Sequence, residues 1–324
     1  MSDDAKNSGN YRAPKWLKGS HSQTIFPFLL LSPRIIHYER QTIETPDGDF
    51  LHIDWVNRNK NAPLVVVLHG LEGSSKSHYS KALMKYVKAL DWTGCVIHFR
   101  GCSGIPNRLP RAYHSGDSDE LEWLIALLQK FNYEKIFIAG YSLGGNVLLN
   151  WLGRSKYQNN KSIIAATSIS APYDLTVAGN RLSMGINKTY GHHFLRTLKK
   201  KAVRKIEDHK LNISIKQIMK CRTLKQFDNY FTAPLHGYAD VNDYWSRASS
   251  KPFLSSIKKS TMIIHAENDP FLPGTELRTL TQKNGKIILN LTTNGGHVGY
   301  TSGSFPGHID WLPNQIIRYF KEFL

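Results

Sequence analysis

Ser142 stands in Gly140-Tyr141-Ser142-Leu143-Gly144, between an apolar, β-branched stretch starting at Lys135 and a helical pattern from Val147 to Leu152. Glycines two places before and after a serine permit a strand-to-helix turn too tight for larger side chains, and such a turn lifts the hydroxyl off the C-terminal edge of a sheet. A hydroxyl presented that way can attack a carbonyl carbon. It is a poor nucleophile near neutral pH, so it needs a base, and the base needs an acid to fix its tautomer. His297 fits the first role. It lies in Asn294-Gly-Gly-His-Val-Gly299, a small-residue loop after the last strand pattern. Asp269 fits the second, following the strand pattern Thr261 to His265 in a loop stiffened by Pro270 and Pro273. Glu267 and Asp174 are the competing acids. The developing oxyanion needs N–H donors. The Leu143 N–H opens the helix after Ser142, where unpaired donors and the positive dipole end favour negative charge. A second donor is expected from the turn His69-Gly-Leu-Glu-Gly73 after the strand pattern Leu64 to Leu68, as the N–H of Leu71.

These residues must be carried by a framework, and the chain supplies one in which strand patterns alternate with helical ones. Leu64 to Leu68, Cys95 to Phe99, Lys135 to Ala139, Ser162 to Ile169, Thr261 to His265 and Lys286 to Leu291 read as strands. Helical spacing covers Tyr79 to Leu90, Leu121 to Leu128 and Ile316 to Phe323. That rhythm predicts a mainly parallel sheet with helices on both faces. Ile35 to Thr45 and Phe50 to Val56 flank Pro46-Asp-Gly-Asp49, which predicts an antiparallel N-terminal hairpin. Between Leu175 and about Ser250 the rhythm gives way to basic helical segments, read as a lid insertion. The expected division is an N-terminal extension (1–34), a core (35–175 and 251–324) and a basic helical lid (176–250). Phe194, Leu195, Leu198, Ala202 and Ile206 mark an apolar helical face there, with Lys199, Lys200, Lys201, Arg204 and Lys205 expected largely outward.

Length and composition fit one large α/β unit: 324 residues, 41% hydrophobic. No stretch approaches the ~18 apolar residues of a membrane span, and the run Ile25 to Leu31 is interrupted by Pro27. Met1 to Asn10 is polar, carries Asp3 and Asp4, lacks the make-up of a secretion signal and is read as a frayed tail. Cys95, Cys102 and Cys221 form no CxxC pair and leave an odd count, which argues against disulfides and for the cytoplasm. The net charge of +17 implies an anionic partner, and more than half of it sits between Arg196 and Lys225. With no zinc spacing, RNP-like pattern or phosphate loop beside it, specific nucleic-acid binding is not expected. Peripheral contact with an anionic membrane, at its inner face, is. No metal or cofactor is called for.

The chain order Ser142, Asp269, His297 is that of α/β-hydrolases, and longer segments narrow the likeness. Trp16-Leu-Lys-Gly-Ser-His-Ser-Gln-Thr-Ile25, His69-Gly-Leu-Glu-Gly-Ser74, Phe99-Arg-Gly-Cys-Ser-Gly104, Pro106-Asn-Arg-Leu-Pro110, Tyr113-His-Ser-Gly116, His265-Ala-Glu-Asn-Asp-Pro-Phe271 and Gly295-Gly-His-Val-Gly299 resemble those of the YheT-type α/β-hydrolases across nearly the whole chain. That family holds bacterial candidate esterases and eukaryotic relatives acting as lipid hydrolases or as acyltransferases making fatty acid ethyl esters. The resemblance implies the α/β-hydrolase fold and a triad of Ser142, Asp269 and His297. Members usually show two aspartates before Pro-Phe; here the pair is Asn268-Asp269, which assigns the acid to the second position. The expectation is a serine carboxylesterase, lipase-like, cleaving short- to medium-chain acyl or acylglycerol esters of small-molecule or lipid type through an acyl-enzyme. The alternatives are an acyltransferase with an alcohol acceptor, and a catalytically silent lipid-binding protein. Arg100 either holds a substrate anion or braces its loop through a bidentate internal pair, and the brace is the favoured reading.

Overall fold

The third strand, Leu-Val-Val-Val-Leu, is buried along its whole length, as β-branched residues covered on both faces require. The computed structural model describes residues 11–31, 33, 35–154 and 161–324; the tail expected over residues 1–10 lies outside them. Eight strands form one sheet: β1 (Glu39–Glu44), β2 (Phe50–Val56), β3 (Leu64–Leu68), β4 (Thr93–His98), β5 (Ile136–Tyr141), β6 (Ile163–Ile169), β7 (Ser260–Ala266) and β8 (Ile287–Thr292). Their order is β1-β2-β4-β3-β5-β6-β7-β8. The β1/β2 and β2/β4 pairs are antiparallel and every other pair is parallel. The hairpin turn closes through Thr45 and Asp49, with Gly48 at φ 82°.

Successive side chains of a strand point to opposite faces, so β3 divides its residues between two cores. Leu64, Val66 and Leu68 pack with Leu124, Leu128, Val147 and Leu148, which come from α3 (Ser118–Gln129) and α4 (Leu143–Gly153). Val65 and Val67 pack with Leu83, Val87, Ile316 and Phe320, on α2 (His78–Ala89) and the C-terminal helix Trp311–Lys321. Phe137 of β5 stacks on Phe320 at 4.7 Å; truncating a buried aromatic of this kind to alanine costs about 3–5 kcal/mol. The three cysteines are free, buried thiols.

Between β6 and β7 the chain is helical: α5 (Leu175–Arg181), α6 (Lys188–His209), α7 (Ile215–Lys220), α8 (Leu224–Phe227), a π turn (Asp228–Thr232), α9 (Ala233–Leu235) and α10 (Val241–Ala248). The apolar face read for α6 packs as a satellite core, where Leu195, Ala202 and Ile206 bury against Ile218, Leu224, Phe227 and Phe231. The expected outward set of lysines is corrected in two places. Lys201 and Lys205 turn inward, because acceptors from the sheet edge meet them there: Nζ of Lys201 lies 2.8 Å from Glu72 Oε1, and Nζ of Lys205 donates to Asn107 Oδ1 at 2.7 Å and to the Leu109 carbonyl at 2.8 Å. Burial lowers the Lys205 ammonium to about 8.

One element was not anticipated, the helix α1 (Ser20–Leu30). Its buried positions are Gln23 and Pro27, while Ile25, Phe28, Leu29 and Leu30 are exposed. Pro27 has no N–H to offer the Gln23 carbonyl, and that carbonyl lies against Gly299, where a side chain would clash with it. Among the described residues no helix is long and apolar enough to cross a membrane.

Candidate active site

Ser142 sits between β5 and α4 with φ 51° and ψ −119°. A non-glycine residue at positive φ costs of order 1–3 kcal/mol and persists where its surroundings fix it. Its N–H donates to the Ile169 carbonyl at 2.8 Å and its own carbonyl accepts from the Asn146 N–H at 3.0 Å. The flanking glycines are sterically required. A Cβ on Gly140 would come within 2.6 Å of the Gly144 carbonyl oxygen, and one on Gly144 within 2.5 Å of that of Leu68. Asn146 anchors the helix behind the turn, donating from Nδ2 to the Ser115 and Ala248 carbonyls and accepting from the Ser250 N–H.

The structure brings the three expected residues into one hydrogen-bonded line. His297 Nε2 lies 2.8 Å from Ser142 Oγ, and its Nδ1 lies 2.9 Å from Asp269 Oδ2. A carboxylate only accepts, so Nδ1–H donates to Asp269 and Nε2 is left to accept the serine proton. Asp269 is buried, and its other oxygen accepts the Phe271 and Leu272 N–H groups at 2.8 and 3.4 Å. The Phe271 ring stacks on the imidazole at 4.0 Å, which limits its rotation. His265 also approaches Asp269, at 3.6 Å, but its Nε2–H donates to the Leu272 carbonyl at 2.7 Å. Burial holds it below the ordinary imidazole range. The competing acids are occupied elsewhere. Glu267 pairs with Arg278 at 2.7 Å, and Asp174 caps α5 through the Val177 N–H and pairs with Lys251.

The histidine loop is tied down by residues to which the sequence reading gave no such role. The His297 N–H donates to Thr24 Oγ1 at 2.9 Å and the Gly295 N–H to Gln23 Oε1 at 2.8 Å, both on α1. The Gly296 N–H donates to Asn268 Oδ1 at 3.0 Å and the Val298 N–H to Ser170 Oγ at 3.1 Å. The run Gln23-Thr24 falls inside the N-terminal segment that carried part of the resemblance, so a signal was present, without a role attached.

Leu71 and Leu143 border the same cleft as Ser142, and among the described residues neither N–H donates to a protein acceptor. The turn bearing Leu71 is held on several sides. The Gly73 N–H donates to the Gly70 carbonyl and the Gly70 N–H to Tyr79 Oη, each at 2.9 Å. His69 is fully buried, with Nδ1 2.7 Å from the Gly70 carbonyl and Nε2 accepting the Phe99 N–H at 3.1 Å. Burial pushes it down to about 3, so it stays neutral. Glu72, at φ 56°, donates its N–H to Tyr113 Oη at 2.9 Å, while its carboxylate accepts from Tyr113 Oη and from Lys201 Nζ, each at 2.8 Å.

The cleft has a volume of about 420 Å³ and runs from Ser142 between Leu175, Leu182, Phe194, Leu198, Phe227 and Phe231 to a rim carrying Lys200 and Arg204. Asp228 faces it from the π turn. Both carboxylate oxygens accept, from Thr232 Oγ1 at 2.7 Å and Trp245 Nε1 at 2.8 Å, and burial raises the carboxyl to about 6. Arg100 is spent internally, on Glu120 at 2.7 Å, Asp49 at 2.9 Å and Asp47 at 2.9 Å. It braces the loop after β4 against the hairpin turn.

A mainly parallel sheet carrying a serine on a strained strand-to-helix turn, with an aspartate-oriented histidine against it, defines an α/β hydrolase. The sequence profile described as "alpha/beta hydrolase fold" matches residues 63–303, and the chain belongs to that family. It is 35% identical over 328 residues to YheT of Escherichia coli (strain K12), a candidate esterase by name, the match covering 99% of this chain and 96% of that one. It is 28% identical over 326 residues to Phospholipase ABHD3 of Mus musculus (97% and 78% covered) and 29% over 278 residues to the monoacylglycerol lipase of Saccharomyces cerevisiae (83% and 61%). Among solved structures, the Pyrococcus furiosus esterase PF2001 superposes with a TM-score of 0.57 at 19% identity, covering 90% of this chain and 97% of that one. That likeness shows the fold. The chain is a hydrolase acting on ester bonds.

Proposed function

We propose that the protein is a serine carboxylesterase of lipase-like character, cleaving short- to medium-chain acyl or acylglycerol esters through an acyl-enzyme on Ser142. The observation that carries this reading is the 2.8 Å and 2.9 Å pair of contacts joining Ser142 to His297 and His297 to Asp269. Ser142 Oγ attacks the carbonyl carbon while His297 Nε2 takes its proton. The tetrahedral oxyanion is held by the Leu71 and Leu143 N–H groups, and His297 returns the proton to the leaving alcohol. Water, deprotonated by the same imidazole, then releases the acid. Residues 176–250 serve as a lid on the core of 35–175 and 251–324, and the apolar cleft beneath α6 takes the acyl chain. The enzyme works in the cytoplasm, in peripheral contact with the inner face of an anionic membrane.

The test is covalent labelling with a fluorophosphonate, read beside hydrolysis of an aryl ester. Wild type labels once, on Ser142; Ser142→Ala does not label, and its turnover falls by on the order of 10⁴-fold or more, leaving what binding and an oxyanion hole alone supply. A folded wild-type protein that does not label is a silent scaffold, and the reading fails. Product analysis with added glycerol or ethanol separates hydrolysis from acyl transfer, since an alcohol in place of water uses the same residues.

A further inference from the structure

Helix α1 is amphipathic the wrong way round for a helix packed on a core. Its inner face is polar, with Gln23 and Thr24 spent on the histidine loop, and its outer face is apolar: Phe28 is 54% exposed, Leu29 63% and Leu30 67%. Three large adjoining side chains in water at one helix end are costly unless something covers them. The neighbouring surface says what. Along α6, Lys188, Arg196, Lys200 and Arg204 are all exposed; Arg196, Lys200 and Arg204, four residues apart, form one stripe, whereas Lys188 lies about 160° round the helix from Arg204. Among the described residues only Arg204 of the four meets a carboxylate, Asp208 at 3.3 Å. The two helices touch. The Phe28 ring lies 6.0 Å from that of His193, and His21 stacks on Tyr190 at 5.8 Å. Tyr190 in turn meets Phe271, the ring that lies on His297. An apolar tip, a cationic stripe and the catalytic histidine therefore stand on one side of the molecule, with Lys200 and Arg204 on the cleft rim.

From this we infer that α1 is a membrane-insertion element: Phe28, Leu29 and Leu30 enter the headgroup and acyl boundary of an anionic bilayer while the α6 stripe lies on its phosphates. This deepens the lipid-ester reading above, on which it rests, by naming the surface from which substrate enters. Apolar burial and basic attraction combine in interfacial helices of this type. In a purely electrostatic contact salt would remove all binding; an inserted α1 predicts instead that a part survives salt and depends on α1.

The experiment is co-sedimentation of the full chain with vesicles of phosphatidylcholine, and of phosphatidylcholine with phosphatidylglycerol in equal parts, at low and high salt. Wild type should pellet with the anionic vesicles. Phe28→Asp/Leu29→Asp should weaken that by on the order of tenfold or more, and Arg196→Gln/Lys200→Gln should remove the salt-sensitive part. Fluorophosphonate labelling and soluble-ester turnover should stay at the wild-type level in the α1 variant, so loss of the docking surface is told apart from loss of the esterase. Should that variant not fold, Leu29→Cys carrying a polarity-sensitive dye gives the same answer through a blue shift on anionic vesicles. Wild type that pellets with neither vesicle overturns the inference, as does an α1 variant that binds like wild type. A solution dimer that dissociates in the α1 variant, without vesicle binding, would overturn it too, by assigning the patch to a second copy of the chain.

Discussion

Replacing Lys201 with methionine keeps the side chain's length and apolar stem but deletes the ammonium that ties α6 to the turn bearing the Leu71 N–H. At 2.8 Å two unit charges attract by roughly 6 kcal/mol at an effective dielectric constant of 20. Most of that is offset by desolvation. Lys201 is 39% exposed and Glu72 11%, so solvent screens the pair further. The net value belongs at the low end for a charged hydrogen bond, about 1.5 kcal/mol. If all of it goes into holding the turn in the transition state, kcat falls about tenfold. The ceiling is the ~10²–10³ lost when an oxyanion donor is removed outright. The assay is kcat and KM on a soluble aryl ester near neutral pH, with thermal melts to verify folding. Lys199→Met is the control, since among the described residues Lys199 Nζ bonds only the Met219 carbonyl on α7. Lys201→Arg should recover much of the loss, and Lys201→Met combined with Glu72→Gln should cost little more than either change alone. A Lys201→Met enzyme with unchanged kcat, or one altered only in KM, would refute the coupling between α6 and the oxyanion turn.

Other substitutions probe the remaining contacts. Asp269→Asn should lower kcat by on the order of 10⁴ by leaving His297 in the wrong tautomer, whereas Asp174→Asn, which changes a helix cap and an ion pair, should leave kcat within about twofold and cost ~1 kcal/mol of stability at most; equal losses in kcat would reassign the acid. Thr24→Val removes the acceptor of the His297 N–H while keeping the shape. A buried donor left unpaired costs ~1–3 kcal/mol, so kcat should drop about tenfold and return in Thr24→Ser. The Asp228 carboxyl, raised to about 6 from an ordinary 3.8, binds its proton more tightly folded than unfolded. Its contribution to stability is thus fully present below about pH 4 and is lost as pH rises to about 6, by at most ~3 kcal/mol. Asp228→Asn keeps both bonds, because the Thr232 hydroxyl can accept as well as donate, and should flatten the melting temperature between pH 4 and 7 relative to wild type.

The strands were legible because a parallel sheet buries both faces, which leaves short, continuous apolar runs such as Leu64 to Leu68 that few other structures produce. The elbow was legible for a similar reason: the positions of Gly140 and Gly144 follow from contacts within one tight turn, so the spacing carries the geometry. Helix α1 was not. A periodicity search assigns apolar residues to the inside, and α1 buries Gln23 and Pro27 while exposing Phe28 and Leu29. Lys201 and Lys205 were misplaced on similar grounds. Charged residues on an amphipathic helix are read as outward, and their acceptors, Glu72 and Asn107, stand 129 and 98 residues away, beyond any local pattern.

What escaped the sequence shares one physical character. The Thr24 hydroxyl, the Gln23 amide and the buried His69 ring each fix a backbone group of a loop, and the Lys201 ammonium holds the Glu72 carboxylate carried by such a loop. Chain atoms that every residue possesses leave no mark in residue types; only their partners do, and those partners are ordinary polar side chains, which for the histidine loop come from α1, 272 and 273 residues away. The serine, histidine and aspartate are recognisable because few residue types can serve as nucleophile, base and orienting acid, and here they stand in the chain order of α/β-hydrolases. The groups that hold them in register are recognisable only once the fold has brought them within 3 Å. It follows that variants of these supporting groups should separate from variants of the core: they should lower kcat about tenfold at a stability cost of ~1–3 kcal/mol, whereas Phe137→Ala, in the packed core, should cost about 3–5 kcal/mol of stability and leave the kcat of the folded enzyme near wild type.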